Sequence, residues 1–184
     1  MALRKSSAYS KRYARPYTRK SKKRVKSYIK TIPNSQIVKF KMGDLKGFSK
    51  GEYPTQIYVI SKEKCQVRDN SIEAVRQYLN RFLQTKGGEG FYLEVKVCPH
   101  HILRENKMLT GAGADRMQTG MSKSFGKAIG RAAFVKPNQT IFIIGVKTLK
   151  QEINARKLIQ AAKSRLPCKI TTKTIRTPKL LPSN

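Results

Sequence analysis

The residues best suited to chemistry in this chain lie between residues 99 and 124. Two adjacent histidines, His100 and His101, follow Pro99, and imidazole is both a common metal ligand and a common general base. Neighbouring side chains in a strand point to opposite faces, so the two rings cannot easily share one metal ion. No cysteine or carboxylate cluster completes such a site nearby in the sequence. Packing, or contact with a partner, is the better interpretation of each histidine.

Two carboxylates in the same segment, Glu105 and Asp115, are the candidates for paired acid–base catalysis. A local salt bridge to Arg104 or Arg116 explains them more simply, and an exposed pair of that kind contributes at most about 1 kcal/mol. The glycines at 111–115 lack the spacing of a phosphate-binding loop, and a dinucleotide fingerprint needs a strand before it and a helix after it. The sequence therefore predicts no enzyme activity, no cofactor and no metal.

The charge of the chain indicates its partner. Forty lysines and arginines face ten aspartates and glutamates, which gives a formal net charge of +30 over 184 residues, and Asp44 is the first acidic residue. Such self-repulsion destabilises an isolated protein, whereas neutralising phosphates releases counterions and favours binding. A solubilising surface usually mixes both signs. Nucleic acid is thus the expected partner.

Several classes of protein are disfavoured by composition. No apolar stretch approaches the roughly 20 residues of a membrane span, and no apolar run follows the basic start, as a secretory signal requires. Cys65, Cys98 and Cys168 form no C-x-x-C pair, so zinc-ribbon and redox motifs are not indicated and a reducing cytosol is expected. Cys98 and Cys168 are predicted to be small buried hydrophobes.

Residues 1–34 predict a basic RNA-binding extension. They show no helical or strand period, and alone they should be disordered because they cannot bury enough apolar surface. Tyrosines alternate with basic residues and suit stacking on bases or riboses, although packing of Tyr17 and Tyr28 on the domain edge is an equal alternative. The residues assigned to RNA contact here are Arg12, Arg15, Tyr17, Arg19, Lys20, Lys22, Lys23 and Arg24.

Residues 35–175 predict a single α+β domain, with two helices packed on a mixed, mainly antiparallel sheet. Alternation predicts strands at 36–42, with Val38, Phe40 and Met42 inward, and at 56–60, 91–97, 140–146 and 168–175. Asn70 and Glu73 predict the start of one helix by a capping box. Its outer face carries Arg76, and its apolar face is expected to carry Ile72, Val75, Leu79, Phe82 and Leu83. A second helix is expected at 151–165, with Ala155, Leu158, Ile159 and Ala162 inward. Glycines at 43–51 predict a turn region, and residues 176–184 a loose tail.

The segment 102–120, ILRENKMLTGAGADRMQTG, predicts a long projecting loop. Unstructured loops of this length are uncommon in compact domains and are often functional. Its arginines and lysine suit phosphates, while Asn106 and Gln118 suit base edges or 2′-hydroxyls. An out-and-back loop of this length extends roughly 25 Å at about 3.3 Å per residue. It is therefore long enough to reach deep into an RNA structure.

This run, from Pro99 to Phe125-Gly126-Lys127, closely resembles the universal large-subunit ribosomal protein family called L-ten-e in archaea and L-sixteen in bacteria. ARPYTRK at 14–20, Met42-Gly43 and RQYLNRFL at 76–83 support the resemblance, which covers about residues 13–170 and looks archaeal at the N-terminus. This chain departs from the family at three positions and lacks its usual glycine within 30–35. The family usually has an aromatic residue at His100, arginine at Ser122 and proline at Ala128.

The resemblance implies a hammerhead-like α+β domain bound to large-subunit rRNA near 5S rRNA and the tRNA cleft, among neighbouring ribosomal proteins in the cytoplasm. Its loop would reach toward the peptidyl transferase centre and the tRNA acceptor end, and the protein would join the subunit late in assembly. The implied loop-tip residues are Arg104, Asn106, Lys107, Met108 and Arg116. The implied rRNA anchors are Gln118, Met121, Lys123 and Lys127.

Two other classes of protein compete with this interpretation. A general nucleic-acid compaction protein explains the charge but not the long loop or the two amphipathic helices. An RNA-modifying enzyme needs a cofactor site or an acid–base pair, and the sequence shows neither. A structural RNA-binding role is therefore the leading prediction.

Overall fold

Two antiparallel sheets and three helices form the part of the chain described by the computed structural model, namely residues 4–11, 32–86, 90–106 and 126–176. The larger sheet has the strand order β1-β4-β7-β2-β8 and the smaller one β3-β6-β5. The strands are β1 (Lys41–Gly43), β2 (Thr55–Ser61), β3 (Cys65–Arg68), β4 (Tyr92–Val95), β5 (His101–Glu105), β6 (Lys127–Val135), β7 (Thr140–Val146) and β8 (Ile170–Arg176). The helices are α1 (Leu45–Ser49), α2 (Asp69–Lys86) and α3 (Leu149–Ala162).

The predicted α+β class is confirmed, with two differences in detail. Every pairing among the described strands is antiparallel, and the strands divide into two sheets rather than one. The smaller sheet was missed because its strands lack a clean alternation of apolar and polar residues. Residues 102–105, which the sequence assigned to the loop, form most of β5.

The hydrophobic core lies between the two sheets and the two long helices. The central strand β7 contributes Phe142 and Ile144, which are both fully buried, and β2 contributes Ile57 opposite Ile144. On α3, the residues predicted to face inward are all buried, namely Ala155, Leu158, Ile159 and Ala162. This helix begins two residues before the predicted start because Thr148 and Gln151 form a capping box that the sequence analysis overlooked.

Helix α2 buries its predicted apolar face but differs at its start and on its outer side. Asn70 lies inside the helix, which begins at Asp69, so its predicted capping role is wrong. Arg76 is buried rather than exposed, because its guanidinium forms two hydrogen bonds of 2.5 and 2.7 Å to the Glu73 carboxylate and contacts Met42 Sδ at 2.8 Å. The Arg76 hydrogen bonds hold the pKa of Glu73 below its ordinary value.

The predicted strand at 36–42 is mostly wrong. Only its end forms β1, an edge strand that pairs with β4 alone. Val38 is 72% exposed and Phe40 38% exposed, whereas Ile37 and Met42 are buried. The Gln36 N–H donates to the Asp69 carboxylate at 3.1 Å, so the chain at residue 36 is held at the start of α2. The sheet is reached at Phe40, whose carbonyl accepts from the Val95 N–H at 2.8 Å.

The predicted turn at 43–51 contains the short helix α1. The Asp44 carboxylate accepts a hydrogen bond from the Gly47 N–H at 2.9 Å and so caps α1.

Of the two cysteines predicted to be buried, one is not. Cys98 is exposed because β4 ends at Val95, before the cysteine is reached. Cys168 is buried as predicted.

Candidate nucleic-acid interface

The base of the predicted loop is a stem formed by the paired ends of β5 and β6. Its last pair joins Glu105 to Lys127. Gly126 has a φ of +76°, and a Cβ at this position would lie 2.8 Å from the Glu105 carbonyl carbon. The glycine therefore permits a close approach of the two backbones that other residues do not. Because the stem is closed, residues 106 and 126 lie at the same end of the small sheet.

Three of the predicted interface residues lie at this stem. Arg104 is a half-buried residue within β5, paired with Ala128, so its position is at the stem and not at a loop tip. Asn106 follows directly and is also half-buried, while Lys127 is exposed at the start of β6. Their proposed contacts with RNA stay predictions.

The other predicted interface residues lie outside the described part of the chain. In the loop these are Lys107, Met108, Arg116, Gln118, Met121 and Lys123. In the N-terminal extension they are Arg12, Arg15, Tyr17, Arg19, Lys20, Lys22, Lys23 and Arg24. The predicted carboxylate partner Asp115 also lies there.

Residues 4–11 of the predicted extension pack on the small sheet. Gln66 donates from its backbone N–H to Ser10 O at 3.0 Å and from its side chain to Tyr9 O at 3.2 Å. Arg68 Nη2 donates to the carbonyl oxygens of Arg4 and Lys5, each at 2.7 Å. These contacts, called here the polar layer, hold the start of the chain against β3, in contrast to the disorder expected for the whole extension.

The stem and the polar layer are joined by an ion pair. Among the described residues, Glu105 forms an ion pair with Arg4, and the suggested partner Arg116 lies outside the described residues. The Arg4 guanidinium also lies 5.6 Å from the centre of the Tyr9 ring. Burial, with the negative charge of Glu105, raises the pKa of the Tyr9 phenol. The first described residues are thereby fixed at the base of the loop.

The two histidines form a packing contact. Their rings meet edge to face with centroids 4.2 Å apart, so they do not point to opposite faces as the strand rule suggested. His101 is buried and stacks on Phe134, with centroids 5.8 Å apart. Burial, with the neighbouring His100, lowers the pKa of His101. Across the described ranges, no three His, Cys, Asp or Glu residues are grouped closely enough to hold a metal ion.

A second basic surface, called here the turn end, lies where three loops meet. The Lys62 N–H donates to Lys169 O at 2.9 Å, and the Asn138 N–H donates to Ser61 O at 2.8 Å. These bonds bring together exposed lysines from distant parts of the sequence, namely Lys62, Lys136 and Lys169, and Lys163 lines the same hollow as Lys169. Glu63 lies among them, and its carboxylate accepts from the Lys169 N–H at 2.8 Å. The ammonium groups are suited to contact with phosphates. No local run of charge in the sequence marks this surface.

Comparison with known proteins identifies the family. The family described as ribosomal protein L16p/L10e matches residues 14–173. The large ribosomal subunit protein uL16 of Staphylothermus marinus is 39% identical over 168 residues, which cover 91% of this chain and 90% of that protein. The proteins of the same name from Methanococcus aeolicus and Archaeoglobus fulgidus are each 38% identical, over 92% and 89% of this chain and 94% and 88% of their own lengths.

These relatives are archaeal, as the N-terminal residues predicted, and the matched range includes both the stem and the loop between its strands. Closed strands that carry a basic loop, together with a second basic surface, suit a protein that binds a structured polyanion. The chain belongs to the ribosomal protein L16p/L10e family, whose members are structural proteins of the ribosome and not enzymes.

Proposed function

We propose that this protein is a structural constituent of the large ribosomal subunit that binds large-subunit rRNA near 5S rRNA and the tRNA cleft. Its loop reaches toward the peptidyl transferase centre, where it supports the positioning of the tRNA acceptor end and late subunit assembly. The matched relatives are named as large-subunit proteins, and the family match spans nearly all of the chain. A general nucleic-acid compaction protein is disfavoured as the alternative, because that function explains neither the loop nor the family match.

The observation that carries the loop's role is the closed stem. Because Glu105 pairs with Lys127, the two ends of the connecting segment lie together. All of residues 106–126 can therefore contribute to the length of a projecting loop. Its sequence supplies arginine, lysine and asparagine, which suit phosphates and 2′-hydroxyls. Such a loop is suited to entering an RNA cavity while the folded domain stays at the surface.

The excess charge supports rRNA as the permanent partner and the ribosome as the site of action, in the cytoplasm. None of the described helices is long and apolar enough to cross a membrane. If about 10 basic residues meet phosphates, log K should fall against log salt with a slope of about −7 to −9. A slope near zero for binding to large-subunit rRNA would contradict a phosphate-dominated contact.

The decisive experiment deletes residues 107–115 and reconstitutes large subunits with the shortened protein. The core lies in the helices and strands, so we expect folding and most rRNA affinity to persist. Binding of tRNA, peptidyl transfer or the last step of subunit maturation should be impaired. Arg116→Ala should give a weaker form of the same defect, through loss of a charge-assisted contact.

A matched control removes an exposed arginine from α2, Arg81→Ala, and should leave all of these activities unchanged. Sucrose-gradient sedimentation first establishes that each variant enters the large subunit. Wild-type tRNA binding and peptidyl transfer, with full incorporation of the deleted protein, would show that the loop is only a linker.

A further inference from the structure

A cavity of about 260 Å³ lies where the polar layer meets the first turn of α2 and the middle of β5 and β6. Tyr9 and Arg4 form one wall, and Asp69 and Asn70 from α2 form another. The remaining lining includes apolar side chains from β5 and β6. None of the described residues that the sequence assigned to RNA contact, namely Arg104, Asn106 and Lys127, lines this cavity.

Two buried polar atoms at the cavity have no hydrogen-bond partner among the described residues. One is Arg68 Nε, a donor on a side chain that is 93% buried and whose Nη2 is already engaged with Arg4 O and Lys5 O. The other is Asn70 Oδ1, an acceptor. Leaving such groups unpaired is costly, about 1–3 kcal/mol each. A donor and an acceptor on two side chains that line the same cavity are suited to a ligand that offers one of each.

The lining favours a heterocycle over an anion. Asp69 is a buried carboxyl whose Oδ1 and Oδ2 accept from the backbone N–H groups of Asn70 and Gln36, and burial raises its pKa. Three arginines also line the cavity, but each is already engaged: Arg4 by Glu105, Arg131 by Pro33 O and the charge of Asp69, and Arg68 by Arg4 O and Lys5 O. A phosphate would therefore meet the Asp69 carboxyl and the unpaired Asn70 oxygen, both unfavourable to it. Leu103 and Ile129 supply apolar contacts for a flat ring. Tyrosine and arginine are the side chains on which unstacked RNA bases usually rest.

The volume of the cavity and the glycine in its lining indicate the same class of ligand. A cavity of about 150 Å³ accommodates benzene, whereas drug-sized ligands use about 300–1,000 Å³, so this volume suits one base and not a whole cofactor. Gly130 in β6 lines the cavity, and a Cβ placed there would meet no heavy atom within 4 Å. A glycine inside a strand often marks a close approach by a ligand.

We propose that this cavity receives one extruded nucleobase of the RNA that the protein binds, held by Arg68 Nε and Asn70 Oδ1. The inference rests on the proposed function, because it names a nucleotide-reading site for the same RNA partner. Unstacking a base costs a few kcal/mol, least where the base is already unpaired. The occupant is therefore expected to come from a bulge or loop of the rRNA.

The test fills the cavity with a larger side chain and measures the chemical reactivity of the nucleotides of the RNA. Gly130→Leu should fill the space without a backbone clash, and Gly130→Ala is the matched control, since a methyl leaves most of the volume open. Large subunits reconstituted with each variant are probed with dimethyl sulfate and a carbodiimide. We expect one nucleotide, protected by the wild type and by Gly130→Ala, to become as reactive with Gly130→Leu as a free unpaired base.

A second pair of variants keeps the test decisive if the leucine impairs folding. Asn70→Leu removes the acceptor and should raise reactivity of the same nucleotide about three- to ten-fold, as expected for one lost hydrogen bond. Asn80→Leu, on the same helix away from the cavity, should not. Full incorporation with no altered nucleotide in Gly130→Leu or Asn70→Leu would overturn the proposal. Failure of the wild type to enter the large subunit would overturn the proposed function, and this inference with it.

Discussion

The two faces of the three-stranded sheet are built from opposite kinds of residue. The face toward α2 carries Val67 and Ala133, both fully buried in the apolar core. The other face carries Gln66 and Arg68, which are also buried and lie in the polar layer under residues 4–11, and His101, which is buried against Phe134. The first face is stabilised by burial of apolar area, which many side chains supply. The second is stabilised by hydrogen bonds to particular carbonyl groups, so it selects one segment of the chain.

The largest effect is expected from truncating the apolar core. Ile72→Ala on α2 removes a fully buried side chain and should cost about 3 kcal/mol in the free energy of unfolding, within the usual range of such changes. Ile153→Ala on α3 makes the same chemical change at a residue that is 48% exposed. Urea unfolding should separate the two clearly, and equal losses would mean that the core beneath the small sheet is not close-packed.

The next effect concerns the backbone of the stem. Gly126→Ala places a Cβ against the Glu105 backbone and forces alanine into the left-handed region, so we expect a loss of about 2 kcal/mol. Gly130→Ala, within the adjoining strand β6, has open space and no positive φ, and should be nearly neutral. Thermal or urea unfolding of both proteins checks this. If the two variants proved equally stable, the close approach at the stem would be refuted.

A smaller effect is expected in the polar layer. Arg68→Met keeps the aliphatic stem but loses both hydrogen bonds to the carbonyls of residues 4 and 5, a cost of about 1.5 kcal/mol. Because those carbonyls lie on an exposed segment, water replaces part of the loss. Hydrogen exchange should quicken selectively in residues 4–11. The control Arg81→Met should change neither quantity, and global rather than local loss of protection would contradict a segment-specific layer.

The smallest effect is a pH dependence. Burial lowers the pKa of His101 in the folded state, so below about pH 6.5 the unfolded chain binds a proton that the folded chain does not. Stability should therefore fall as pH decreases through that window, with a slope of at most about 1.4 kcal/mol per pH unit for one proton. His101→Phe should remove this component. His100→Phe should retain most of it, and a pH profile unchanged by His101→Phe would exclude the assignment.

Local patterns were sufficient where one face of an element meets a generic apolar core. The spacing of Ile72, Val75, Leu79 and Leu83 predicted the buried face of α2, and TIFIIGV predicted β7. The same reasoning failed at Val38 and Phe40. Their alternation is real, but the backbone just before them, at Gln36, is hydrogen-bonded to Asp69, and both side chains are exposed. It failed again at Arg76, because a carboxylate one turn away on the same helix satisfies its charge inside the protein.

By itself, the sequence determined the family, the polyanionic partner, the α+β class and the residues available in the loop. These follow from composition, from short periodic patterns and from a long motif, all of which are local along the chain. Only the tertiary structure decided the division into two sheets, the closed stem, the Arg4–Glu105 pair, the turn end and the cavity beside Asn70. Each of these joins residues far apart in sequence, and the long-range contacts that join them leave no local pattern of residue types along the chain.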